Sequence, residues 1–168
     1  MGTEASLPGF DGKTALSGAL RFGSQDALLK AWATDSGQPA PKMQSFASDS
    51  FGVVYGIDSN GKVAIFWPET GEVERLGVSK DEFYELVKKD PEGTVNLSLY
   101  QDATKKLGPL APEEHFAFKI ETALGGPLTV ENVLKMKAAD HMRSLGKIAR
   151  EIRDIPVGER IARVRAER

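Results

Sequence analysis

The stretch Asp58-Ser59-Asn60-Gly61-Lys62-Val63-Ala64-Ile65-Phe66-Trp67 decides the fold. Asn60-Gly61 tolerates positive φ, so the first four residues read as a hairpin turn. Lys62 to Trp67 then reads as a strand that is apolar at both parities. Such a strand sits inside a sheet with both faces covered. Working outward, Phe51 to Ile57 is the preceding strand, with Gly52 and Gly56 inside it. Pro68-Glu69-Thr70-Gly71 makes the next turn. Glu72 to Leu76 is a third, more exposed strand in which Glu72 and Glu74 share a face through the two-residue period.

Helical patterns surround this meander. Ser79-Lys80-Asp81-Glu82 is a helix start: Ser79 caps free amides, Glu82 reciprocates, and Asp81 and Glu82 suit the positive helix end. Phe83, Leu86 and Val87 form its buried stripe, and Pro91-Glu92-Gly93 closes it. From Leu97 to Leu107, Leu99, Tyr100, Ala103 and Leu107 recur at helical steps, and Gly108 stops the run. His115 to Leu124 reads as a half-buried strand, with Phe116, Phe118 and Ile120 alternating with Ala117, Lys119 and Glu121. Gly125-Gly126-Pro127 is a turn. Residues 129–137 read either as a helical turn or as an irregular connection. Ala138 to Arg153 is a helix with Met142, Leu145, Ile148, Ala149 and Ile152 on its apolar face. Upstream, Gln25 to Thr34 forms a short helix with Leu28, Leu29 and Trp32 on one side, preceded by a Gly- and Ser-rich arm.

Strands followed by helices around them predict an α+β fold, a central antiparallel sheet packed with helices. The expected division is an N-terminal arm with a short helix (1–45), an α+β domain (46–155) and a basic C-terminal tail (156–168). Val63, Ile65 and Trp67 are expected to pack on Phe83, Leu86 and Leu145, with Phe116, Phe118 and Ile120 extending the same core.

The chain has 168 residues, 40% hydrophobic and 27% charged, and no cysteine. That excludes a disulfide scaffold, a thiolate metal site and a cysteine nucleophile, and permits a reducing compartment. No apolar run reaches membrane-spanning length, and the acidic N-terminus does not read as a secretory signal. The net charge of -2 hides an uneven distribution. Residues 49–92 hold ten acids against five bases, whereas residues 119–168 hold eleven bases against seven acids. Such polarity steers a charged partner.

Catalytic signatures are missing: no GxSxG elbow, no Walker A loop, no HExxH, no calcium loop. His115 and His141, without cysteine, make no zinc site by themselves. His141 reads as a structural or surface residue, and His115 as an ordinary strand-end residue, with a local pair to Glu113 or Glu114 as the alternative. Asp81, Glu82 and Glu85 cluster on one exposed helix, where nothing suggests the apolar pocket that acid/base carboxylates need. The expectation is a non-enzyme with no catalytic residue, cofactor or metal.

Two segments resemble a known family. The first is Phe46-Ala47-Ser48-Asp49-Ser50-Phe51-Gly52, then Lys62-Val63-Ala64-Ile65-Phe66-Trp67 and Thr70-Gly71-Glu72-Val73. The second orders Leu107-Gly108-Pro109-Leu110, Pro112-Glu113-Glu114-His115-Phe116-Ala117-Phe118, Leu124-Gly125-Gly126, Val130-Glu131-Asn132-Val133 and His141-Met142-Arg143-Ser144-Leu145. Together they resemble the C-terminal domain of immunity proteins of type VI secretion DNase effectors and, more distantly, the SUKH (Smi/Knr-like) superfamily. The resemblance implies a SUKH-like α+β fold and a cytoplasmic, non-catalytic protein. It also implies a cognate toxin or effector domain as partner, encoded next to this gene and blocked at its active site or substrate groove.

A nuclease presents a basic surface to phosphates, so an acidic face is the expected contact. The toxin-binding residues are then Glu69, Glu72, Glu74, Asp81, Glu82, Glu85 and Asp90, with Trp67 and Tyr84 as apolar anchors. The alternative is a scaffold or nucleic-acid-binding role for the basic C-terminal helix. There Arg143, Lys147 and Arg150 share a face and Arg153, Arg160, Arg163, Arg165 and Arg168 follow, although acids interrupt the patch.

Overall fold

Five antiparallel strands run in chain order across one sheet in the computed structural model, which describes residues 18–153. They are Leu20–Phe22 (β1), Gln44–Asp49 (β2), Val54–Ile57 (β3), Val63–Trp67 (β4) and Glu72–Arg75 (β5). The helices are Asp26–Ser36 (α1), Lys80–Lys89 (α2), Pro91–Val95 (α3), Leu97–Leu107 (α4) and Ala138–Arg153 (α5). Glu114–Phe118 (β6) and Val133–Lys137 (β7) form a separate two-stranded antiparallel sheet. The expected α+β class with a central antiparallel sheet is the observed one.

The β3–β4 turn forms as the sequence predicts. Asn60 and Lys62 amides donate to Asp58 Oδ1 at 2.8 and 3.1 Å, and Gly61 takes φ 76°. The register pairs Val54 with Phe66, Tyr55 with Ile65 and Ile57 with Val63. One face therefore carries Tyr55 and Val63, which join Phe46, Phe83, Tyr84, Val87 and Val95 in a core beneath α2 and α3. The opposite face carries Val54 and Phe66, which join Leu29, Trp32, Met142, Leu145 and Ala149 beneath α1 and α5. The two-sided apolarity of β4 is thus explained by a helical layer on each face. It also splits the expected core, because Phe83 and Leu145 lie on opposite sides of the sheet.

Four features differ from the sequence reading. First, β1 and β2 extend the sheet by two strands, so the expected boundary after residue 45 falls inside β2, and α1 packs directly on α5. Arg21 fastens β1 to the small sheet. Its Nη1 donates to Glu114 O at 2.6 Å and its Nη2 to Pro112 O at 2.7 Å. Second, the two added strands supply Phe22 and Phe46, whose rings meet Tyr84 edge-on at 5.8 and 6.1 Å. The buried face of α2 therefore turns toward Phe83, Tyr84 and Val87, and Leu86 is left 39% exposed.

Third, residues 133–137 are a strand, fixed by pairing with β6. Their own pattern is too short and mixed to show it. Fourth, β6 stops at Phe118, and Ile120 is 43% exposed rather than core. Asn132 causes this break. Its Oδ1 accepts from Ile120 N at 3.0 Å, while its Nδ2 donates to Ile120 O at 2.8 Å and Pro127 O at 3.0 Å. The chain is clasped there and enters a 3-10 turn, Thr122–Leu124. Phe116 is fully buried with Phe51, Leu99, Ala103 and Val133, whereas Phe118 is half-buried at the edge of that cluster.

Residues 1–17 of the expected arm and the tail 156–168, with Arg160, Arg163, Arg165 and Arg168, lie outside the described residues.

Candidate functional site

The carboxylates expected to meet a partner divide into an outward set and an inward one. β5 is the last strand of the sheet, and all four of its residues are exposed. Glu72 pairs with Trp67 and Glu74 with Ile65, so both glutamates stand on the face of the sheet that α2 covers, while Val73 and Arg75 alternate to the other side. Asp81, Glu82 and Glu85 are exposed on α2, and Asp90 follows at its end. The capping box predicted from the sequence forms: Glu82 N donates to Ser79 Oγ at 3.2 Å, and Ser79 N to Glu82 Oε1 at 3.3 Å. Hydrogen bonding from Ser79 holds the Glu82 carboxyl below its ordinary range. Glu85 is paired with Lys88 at 2.6 Å. Asp90 accepts from Gly93 N at 3.0 Å and so starts α3.

Glu69 belongs to the inward set. Its carboxylate accepts from Thr122 Oγ1 at 2.8 Å and Ala123 N at 3.1 Å, stitching the β4–β5 turn to the 3-10 turn. Trp67 beside it is half-buried. Tyr84 is 5% exposed and packed against Phe22, Phe46 and Phe83. It is therefore core and not a surface anchor, because the unforeseen strands β1 and β2 cover it.

A second group of polar residues is buried between β2, β6 and α5. His115 is 2% and His141 1% exposed, and their Nδ1 atoms lie 3.1 Å apart. His115 thus pairs with His141 and not with Glu113 or Glu114. Burial, then the neighbouring His141 and Arg21, pushes the His115 imidazole down to about 3. Gly52 makes room for the pair: a Cβ there would sit 3.2 Å from His141 Cε1 and 3.5 Å from His115 Nδ1. Asp49 is 2% exposed, and its Oδ1 accepts from Phe51 N and Val53 N, each at 2.9 Å. Burial raises its carboxyl to about 7 against the pull of those amides and of Arg21. Ser50 Oγ is buried and forms no hydrogen bond among the described residues, so neither histidine is placed to activate it as a nucleophile. Among the described residues no group of three or more His, Asp or Glu side chains is arranged to share a metal ion.

A cleft opens between these two regions, lined by Asp49, Trp67, Glu69, Phe118, Glu121 and Leu128. Neither Glu121 nor Asp49 is among the toxin-contact residues expected from the sequence. Glu121 reads as the polar member of an alternating strand, and Asp49 as one acid among many; only the turn after β6 brings them to the same cavity. On the opposite side of the molecule's charge balance, Arg143, Lys147 and Arg150 are exposed on α5, with Lys147 3.9 Å from Asp35. No helix among the described residues is long and apolar enough to cross a membrane.

The protein is thereby of the α+β class, with a five-stranded antiparallel meander between two helical layers and a small second sheet. Residues 79–149, from the cap of α2 through most of α5, match the family described as T6SS immunity protein Tdi1, C-terminal. The match holds the second of the two segments singled out in the sequence, whereas the hairpin segment lies before it. That family is one of type VI secretion immunity proteins, and the match spans less than half of this chain. The fold is similar to the crystal structure of Atu4351 from Agrobacterium tumefaciens, with a TM-score of 0.54 and 18% identity over 77% of this chain and 67% of that one. No curated protein matches the chain.

Proposed function

We propose that this chain binds a cognate toxin domain of a type VI secretion effector, a nuclease, and neutralises it by covering its active site or substrate groove. The match of residues 79–149 to an immunity family carries this reading. The outward carboxylates support it. Glu72 and Glu74 on β5 and Asp81 and Glu82 on α2 stand on one side of the sheet and stay exposed. A nuclease must display cations toward phosphates, and an acidic face competes for that surface and speeds encounter. The role is binding without turnover, exerted in the cytoplasm of the producing cell.

Co-expression of this chain with the toxin encoded next to its gene tests the reading. Growth should be restored and a stable complex recovered, with association slowed by added salt. Replacing Glu72 and Glu74 by lysine should weaken the complex about tenfold or more while leaving thermal stability nearly unchanged, since both side chains are exposed. Continued killing without any complex overturns the proposal.

A further inference from the structure

Of the carboxylates bordering the cleft, two are already engaged. Glu69 is held by Thr122 and Ala123, and Asp49 by the amides of Phe51 and Val53. Glu121 is the exception. It is 5% exposed, and its carboxylate forms no hydrogen bond among the described residues; His141 Nε2 stands 3.9 Å from Oε1, beyond hydrogen-bond reach. The Glu121 side chain lines the cleft, so its carboxylate oxygens are available to a donor that enters there. The rings of Trp67 and Phe118 border the same cleft, and Leu128, 59% exposed, forms an apolar rim. Carboxylates spread around a cavity, not converging on one point, do not suit a compact metal ion. They suit an extended, delocalised cation that spreads its hydrogen bonds over several oxygens and lays its plane against rings.

We propose that this cleft is the receptor for one arginine side chain of the toxin, with Glu121 as its carboxylate partner and Trp67 and Phe118 as its flanking rings. This rests on the functional reading above and deepens it, naming what the partner inserts. The outer acidic face then governs encounter, and the cleft governs how long the complex lasts. A desolvated charge pair inside an apolar rim chiefly sets the dissociation rate, whereas rim charges chiefly set the association rate.

Two measurements on the full chain test the proposal. The first is a 1H–15N titration with N-acetyl-arginine amide. Saturable shifts are expected at the Trp67 indole and the Glu121 amide, absent in Glu121→Gln. The second is the dissociation rate of the complex with the neighbouring toxin, expected to rise about tenfold or more in Glu121→Gln and less in Leu128→Ser. Among the described residues the Glu121 side chain makes no hydrogen bond, so the glutamine variant should fold, and a thermal melt checks that it does. If the toxin holds wild type and Glu121→Gln equally long, the cleft proposal fails and the functional reading stands. If no complex forms with wild type, the functional reading fails, and with it the toxin as source of the arginine. Broadening of the same resonances by Mn2+ with the arginine probe silent makes the occupant a divalent cation and overturns the proposal.

Discussion

His115 Nδ1 and His141 Nδ1 face each other at 3.1 Å in the interior, one from β6 and one from α5. One of the two must carry a proton on Nδ1 and the other must not, so the rings adopt complementary tautomers. The contact joins the small sheet to the helix that covers the large one.

The pair and its neighbour Asp49 predict opposing pH dependences. His115 titrates at about 3 when folded against 6.5 ordinarily. Between those values the unfolded chain binds a proton that the folded one refuses, so stability from this group falls as pH falls from 6.5. Asp49 titrates at about 7 when folded against 3.8 ordinarily. Its contribution is full below 3.8 and is lost as pH rises through 7. Asp49→Asn should therefore be more resistant to urea than wild type at pH 8, an advantage that shrinks to nothing by pH 4. His115→Gln should be destabilised at pH 7.5, with a deficit that narrows below pH 6.5. Urea midpoints of the three proteins across pH 4–8 check both directions.

Asn132 holds the loop that ends β6. Asn132→Ala should cost about 2–3 kcal/mol, because Ile120 N, Ile120 O and Pro127 O lose their partner together. Ile120→Ala, at an exposed position, should cost less than about 1 kcal/mol. Chemical denaturation of both variants separates the clasp from the hydrophobic contribution.

Gly146 is where α1 and α5 touch. A Cβ there would stand 2.6 Å from Trp32 O and 3.1 Å from Ser36 N, both backbone atoms. Higher helix propensity would ordinarily make Gly→Ala stabilising. Here the two helices must separate, and Gly146→Ala should destabilise by about 1–3 kcal/mol. Thermal melts, with near-ultraviolet circular dichroism reporting the environment of Trp32, check this.

Burial orders the aromatic positions. Phe116→Ala should cost about 3–5 kcal/mol by opening a cavity in the fully buried cluster with Phe51 and Leu99. Phe118→Ala, half-buried, should cost clearly less. On α2, Tyr84→Ala should be strongly destabilising and Leu86→Ser nearly silent. Denaturation midpoints of the four variants give the ranking, and the reverse order for Tyr84 and Leu86 would contradict the observed rotation of α2.

What the sequence determined by itself was local. The Asn60-Gly61 turn, the Ser79–Glu82 capping box, the span of α4 and the buried face of α5 each depend on residues within a few positions of one another, so pattern and capping chemistry suffice. The two-sided apolarity of β4 also announced a covered strand. Tertiary structure decided everything that rests on distant pairing. β1 is three residues long and β7 has a mixed pattern, and each is a strand because β2 or β6 supplies its hydrogen bonds. The rotation of α2 toward Tyr84 follows from Phe22 and Phe46, more than 35 positions away in sequence. The meeting of His115 with His141, and of Asp49 with Glu121 around one cleft, follows from the packing of α5 and the turn after β6. A titratable side chain has no periodicity of its own, so its partners become legible only once the chain has closed around it.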